Sequence, residues 1–259
     1  MWRWFKWVLL GIGVLIILGL IFFFLKPNKT GDEKSENDKT PQFIQADFID
    51  LDKIMTISKF RSDSGHDFAS SGETCRSMKH YFNVQVSQEG EQLRNQNNGM
   101  PPAPDGKTDI KIYSPVDGKI IQIQTDKTPM GEQIYIQPDA YPDYTIRLFH
   151  IYKLDGVTKS KKVKAGEQIG NISQYQNTDI AIESNQKFRH DFISYFEVMP
   201  DSIFAKYQAR GAKDRNEFII TKEYRDAHPL ECNGEQFAIN NDNNQTSENF
   251  VFLSGHKPF

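Results

Sequence analysis

The chain predicts a mainly β fold, a small barrel or sandwich of short strands, with one apolar helix ahead of it. Three stretches carry the β prediction: IKIYSPVDGKIIQIQ from Ile110, YTIRLFHIYKL from Tyr144 and KSKKVKAGEQIGNIS from Lys159. Each alternates apolar and polar residues with a period of two and breaks at, or is bounded by, turn residues. In the first, Ile110, Ile112, Ile120 and Ile121 flank Pro115-Val116-Asp117-Gly118. Pro presets φ there and Gly permits the tight reversal. Val163-Lys164-Ala165-Gly166-Glu167 makes a second such turn before Ile169.

The helix ahead of the β region is a candidate membrane anchor. Val8 to Leu25 is an 18-residue run without a charge, enough to cross a bilayer core of about 30 Å once its Trp flank is included. Trp2, Trp4 and Trp7 form an interfacial belt, and Arg3 and Lys6 make the tail basic. A cleaved signal peptide would have a shorter apolar run followed by small residues, whereas Phe22-Phe23-Phe24-Leu25-Lys26-Pro27 follows here. Residues 1–26 therefore read as an anchor and 27–42 as a charged, flexible linker. The pair Cys75 and Cys232 fits one disulfide in an oxidising compartment. Together these place the soluble part outside the membrane.

With 31 basic against 34 acidic residues and a net charge of −3, no basic stripe argues for a nucleic-acid partner. From Phe43 to Phe60 the apolar spacing suits a helix or a strand equally. Glu89 to Lys107 is a polar loop rich in Gly, Pro and Asn. Asp179–Glu183 and Ile193–Val198 alternate as strands. Pro200 to Gly211 carries a helix start, apolar spacing at Ile203, Phe204 and Tyr207, and a Gly stop. Residues 212–259 read as an appendage packed on the β domain and held by Cys232.

The motifs "SPVDGKI", "FHIYKL" and "VKAGEQIG" resemble the core of the lysostaphin/LytM-type zinc endopeptidases, whose fold is the duplicated hybrid motif. The resemblance covers about residues 60–198, within a β domain of residues 43–211. It implies an insertion at about 72–108, because Asp67 and Ser114 stand much farther apart than in that family. The strand-and-turn pattern is shared with biotinyl and lipoyl carrier domains, so it speaks for fold more than for function.

Such an enzyme holds zinc with two His and one Asp, leaving one position for water, and uses further His to activate that water. Carried over, Asp67 matches the ligand Asp, and Asp63 stands where the ligand His belongs. His150 matches the catalytic His of the middle strand. On the last strand Asp179 replaces a catalytic His and Ala181 replaces the third ligand, while Glu183 keeps the family's Glu. Ala has no atom that binds a metal, so the plain zinc site is lost. The remaining groove set is Asp63, His66, Asp67, His150, Asp179 and Glu183. His66 is Asp67's neighbour, and strand neighbours point to opposite faces. No cofactor is expected. Zinc is the alternative, held by Asp67 and Asp63, or a harder divalent cation, which three carboxylates and one imidazole would suit better.

The resemblance therefore implies a degenerate LytM-like domain, catalytically inactive, that binds or regulates peptidoglycan or a cell-wall hydrolase. The alternative is an active metalloendopeptidase with non-standard ligands, His150 acting in catalysis. A scaffold role for the insertion and appendage is the third reading.

Overall fold

The computed structural model describes residues 40–70, 72–125, 130–186, 190–239 and 245–255. The expected anchor and most of the linker lie outside these residues. Among the described residues, no helix is long and apolar enough to cross a membrane.

Among the described residues there are thirteen strands: β1 Ile54–Ser58, β2 His80–Val84, β3 Ile110–Tyr113, β4 Gly118–Thr125, β5 Glu132–Pro138, β6 Tyr144–Lys153 and β7 Lys162–Val163, then β8 Gln168–Ile172, β9 Thr178–Ser184, β10 Asp191–Ile193, β11 Cys232–Asn233, β12 Gln236–Phe237 and β13 Phe250–Phe252. Helices are short: α1 Gln88–Gln96, α2 Asp201–Gln208 and α3 Lys222–Ala227. The main sheet runs β13-β1-β2-β9-β6-β5-β4-β7. β10 joins it at β9, and β3 pairs with β8, which reaches β6. The expected mainly β architecture is present: the alternating stretches at 110–124, 144–154 and 159–173 supply β3, β4 and β6 to β8, while β5 lies between the first two.

β9 is the spine of the sheet, buried along its whole length. A strand covered on both faces needs apolar residues at every position or partners for its polar ones. Ile180 and Ile182 point into the main core with Ile146 and Leu148. Asp179, Ala181 and Glu183 alternate onto the other face. There a second cluster packs Ala181 with Phe60, Met78, Phe149 and Phe192, capped by Phe68 and Ala69.

Three expectations are revised. The segment 72–108 is not a rim insertion throughout, because β2 lies inside the sheet between β1 and β9, with Tyr81 opposite Asp179. Residues 212–259 do more than cover the domain: β13 pairs with β1, Val251 opposite Ile57. Residues 194–198 turn instead of continuing as a strand. Glu197 accepts from the Ser194 N–H through its side chain and donates its own N–H to the Ser194 carbonyl. The turn drops Tyr195, Phe196 and Val198 into the core.

The expected disulfide is present, linking Cys75 to Cys232 with Cα atoms 5.7 Å apart, within the usual span. The stretch 43–60 resolves as an extended entry, one 3-10 turn at Leu51–Lys53, and β1. α2 begins one residue after Pro200, as its start signal predicts.

Candidate functional site

The site forms where the second face of β9 meets the loop 61–79. Lys79, just before β2, turns its side chain onto Asp179. Its Nζ lies 2.6 Å from Asp179 Oδ2, with both side chains withdrawn from solvent. The contact is a buried ion pair. Nζ also lies 3.4 Å from His66 Nε2. Three rings surround it, Phe149 at 4.4 Å, Tyr81 at 4.8 Å and Phe68 at 4.9 Å to the centroid. Burial opposes a charge on Lys79, but the Asp179 carboxylate and Tyr81 outweigh it, so its pKa lies above the ordinary value. Lys79 is therefore a buried ammonium.

His66 is neutral in this setting. Its burial first, and then the Lys79 charge, hold its pKa below the ordinary 6.5. Nδ1 pairs with the Asp67 carbonyl at 2.9 Å; a carbonyl only accepts, so Nδ1 carries the proton and Nε2 presents its lone pair to the ammonium.

His150 reaches the same carboxylate from another direction, Nε2 to Asp179 Oδ1 at 3.4 Å. It sits in a bulge: between Leu148 and Ile151 β6 uses one residue more than β5 between Ile134 and Glu132. Its φ is +62°, an uncommon conformation for a residue with a side chain. Gln176 holds the bulge by donating from Nε2 to the His150 carbonyl at 2.6 Å. Beside this cluster opens a cleft of about 250 Å3, lined by Ser64, Tyr81, Arg94, His150, Gln176 and Asp179 among others. Tyr81 approaches the loop closely because residue 65 is Gly. Gly65 has φ +74°, and a Cβ there would fall 1.9 Å from the Tyr81 hydroxyl.

The other expected groove residues are elsewhere. Asp67 Oδ1 accepts from the Arg76 N–H at 3.0 Å, so this carboxylate closes its own loop. Asp63 lines a different pocket with Arg225 and acts on that guanidinium electrostatically. Glu183 pairs with Arg147 Nη1 at 2.8 Å. Arg147 in turn stacks over Tyr135, Phe149 and Phe68 at 4.7, 5.0 and 5.3 Å. The expected set thus divides: His66, His150 and Asp179 converge, while Asp63, Asp67 and Glu183 serve other contacts. Lys79 is the member that the sequence reading missed. Its signal was the alternation of Lys79 and Tyr81 against His80 and Phe82, which marks a strand instead of an inserted loop.

No protein-family model and no curated protein matches the chain. Among solved structures, the solution structure of lysostaphin is similar at 16% identity and a TM-score of 0.29 over 50% of this chain and 49% of that one. A putative glycyl-glycine endopeptidase LytM from Ruminococcus gnavus is 14% identical, with a TM-score of 0.30, over 53% of this chain and 59% of that one. The SpoIIQ–SpoIIIAH pore-forming complex contributes a chain 11% identical, with a TM-score of 0.38, over 67% of this chain and all of that one. This chain thus spans about half the length of lysostaphin and three fifths of that LytM. At these scores the likenesses assign no activity to it.

The donor set does not fit a zinc centre. Tetrahedral zinc takes N, S or O ligands at about 2.0–2.3 Å. Ala181 supplies no donor, Asp67 and Asp63 face away, and Asp179 already holds an ammonium. Among the described residues, no group of three or more His, Cys, Asp or Glu is placed to hold a metal ion. What remains is a polar cleft with a fixed imidazole at its rim.

Proposed function

We propose that this chain is a membrane-anchored, extracytoplasmic, degenerate LytM-like module that binds cell-wall peptide or a cell-wall hydrolase and does not itself hydrolyse peptidoglycan. One observation carries the reading: the Lys79 ammonium sits against Asp179, on the face of β9 where the resembled enzymes place metal chemistry. A divalent cation brought there would meet a fixed positive charge and too few donors. The cleft that remains is open to a ligand, with His150 about a quarter exposed at its edge. The apolar run Val8–Leu25 supports the anchor, and the Cys75–Cys232 bond supports an oxidising compartment.

The test uses the full-length protein in detergent and purified peptidoglycan. The protein is expected to sediment with the polymer without lowering its turbidity, with or without added zinc. A zinc-dependent fall in turbidity would overturn the reading in favour of a hydrolase. Absence from the pellet would remove the polymer as ligand and leave the partner hydrolase, tested by direct binding.

A further inference from the structure

We infer that the Lys79 side chain is the resident cation of this site, seated in an ammonium cage that takes alkylammonium groups and not divalent metals. The inference deepens the binding-module reading but stands on the cage's own geometry.

A carboxylate alone would not distinguish an ammonium from a metal; the rest of the shell does. Phe149, Tyr81 and Phe68 present their rings to Nζ at 4.4 to 4.9 Å. Aromatic faces attract a poorly hydrated organic cation and offer no ligand atom to zinc. The neutral Nε2 of His66 accepts from the ammonium at 3.4 Å, and Asp179 supplies the single negative charge at 2.6 Å. One carboxylate, one imidazole, the Tyr81 hydroxyl and three rings match an ammonium in number and kind.

The cage is also built to keep its occupant. The loop that delivers Lys79 is fixed by Glu73, which binds Arg61 at 2.7 Å and Arg76 at 2.8 Å. Arg76 reaches Asp226 at 2.9 Å, and Cys75 is tied to Cys232. Asp179 is fully buried on the spine strand, so loss of the ammonium leaves its carboxylate with only the His150 imidazole at 3.4 Å to offset its charge. Lys79 therefore serves the fold by charge, in the place where an external ion would otherwise be required.

The experiment compares the full-length protein with Lys79→Met and Lys79→Ala by thermal unfolding. Lys79→Met keeps the length and removes the charge, leaving Asp179 uncompensated. Its midpoint is expected to fall by on the order of 10 °C. Adding Asp179→Leu to Lys79→Met is expected to recover part of that fall. Lys79→Ala leaves room for the missing chain, so n-propylammonium chloride at millimolar concentration is expected to raise its midpoint. The same salt should leave the wild type and Lys79→Ala/Asp179→Asn unmoved. Zinc chloride should stabilise none of them.

Wild-type stability in Lys79→Met would overturn the inference. So would stabilisation of the wild type by stoichiometric zinc. A Lys79→Ala protein that folds and answers to zinc but not to n-propylammonium would overturn the ammonium preference. If Lys79→Ala does not fold, the Lys79→Met pair decides alone. None of these outcomes depends on peptidoglycan, so this inference and the binding-module reading fail separately.

Discussion

Lys79 and Asp179 face each other across the junction of β2 and β9, Nζ to Oδ2 at 2.6 Å, with neither side chain in contact with water. The two residues stand far apart in the chain and meet only because Tyr81 pairs with Asp179 in the ladder. Breaking a buried pair of this kind from one side costs about 3–5 kcal/mol, because the other charge is left uncompensated. The pair is thus a structural anchor, and it holds a positive charge against the one carboxylate that the cleft would offer a metal.

His80 makes stability depend on pH. It is fully buried, and burial pushes its pKa down to about 4 from the ordinary 6.5, against an opposing hydrogen bond to the Ser58 carbonyl. Nδ1 donates to that carbonyl at 2.8 Å, and Nε2 accepts from the Ser194 hydroxyl at 2.8 Å. The neutral ring packs near Phe60 and Phe196. A depressed folded pKa means that the unfolded chain takes the proton first as pH falls. Stability from this group is complete above pH 6.5 and is lost down to about pH 4. The loss amounts to about 3 kcal/mol. Urea unfolding across that window should show a shallower decline for His80→Gln than for the wild type. Parallel declines would show that His80 does not contribute.

The disulfide should stabilise the domain through the long segment it closes, Cys75 and Cys232 being 157 residues apart. Replacing both by Ser is expected to cost about 2–4 kcal/mol, read as a lower urea midpoint with a steeper slope, because the unfolded chain without the cross-link exposes more surface. Hydrogen exchange should rise first in residues 61–79, which the bond holds against the β11–β12 hairpin. An unchanged midpoint would mean that the Glu73–Arg61–Arg76 contacts suffice by themselves.

The sequence displayed its strands where burial is one-sided or turns are explicit. Ile110, Ile112 and Ile120 alternate around a Pro-Asp-Gly turn, and β3 and β4 follow. β2 was hidden because its neighbourhood is polar at buried positions: Lys79, His80 and Asn83 are all inside. A buried cation reads as a surface residue until its partner is known, and that partner lies on β9. Ile193–Val198 alternates like a strand, yet a single Glu197 carboxylate closes it into a turn. At the site, the resemblance put His150 and Asp179 in one groove, and their side chains lie 3.4 Å apart. It misdirected Asp67, whose carboxylate is taken by a backbone N–H nine residues on, a contact that no spacing rule encodes.

The Lys79 side chain fills the cation position of this groove. Elemental analysis tests it most directly, on full-length protein purified without chelator and without a metal-affinity step. Transition metal is expected far below stoichiometry, and unchanged in Ala181→His, because that substitution adds one donor and leaves Lys79 in place. About one equivalent of zinc, lost on His150→Ala or Asp67→Ala, would contradict it.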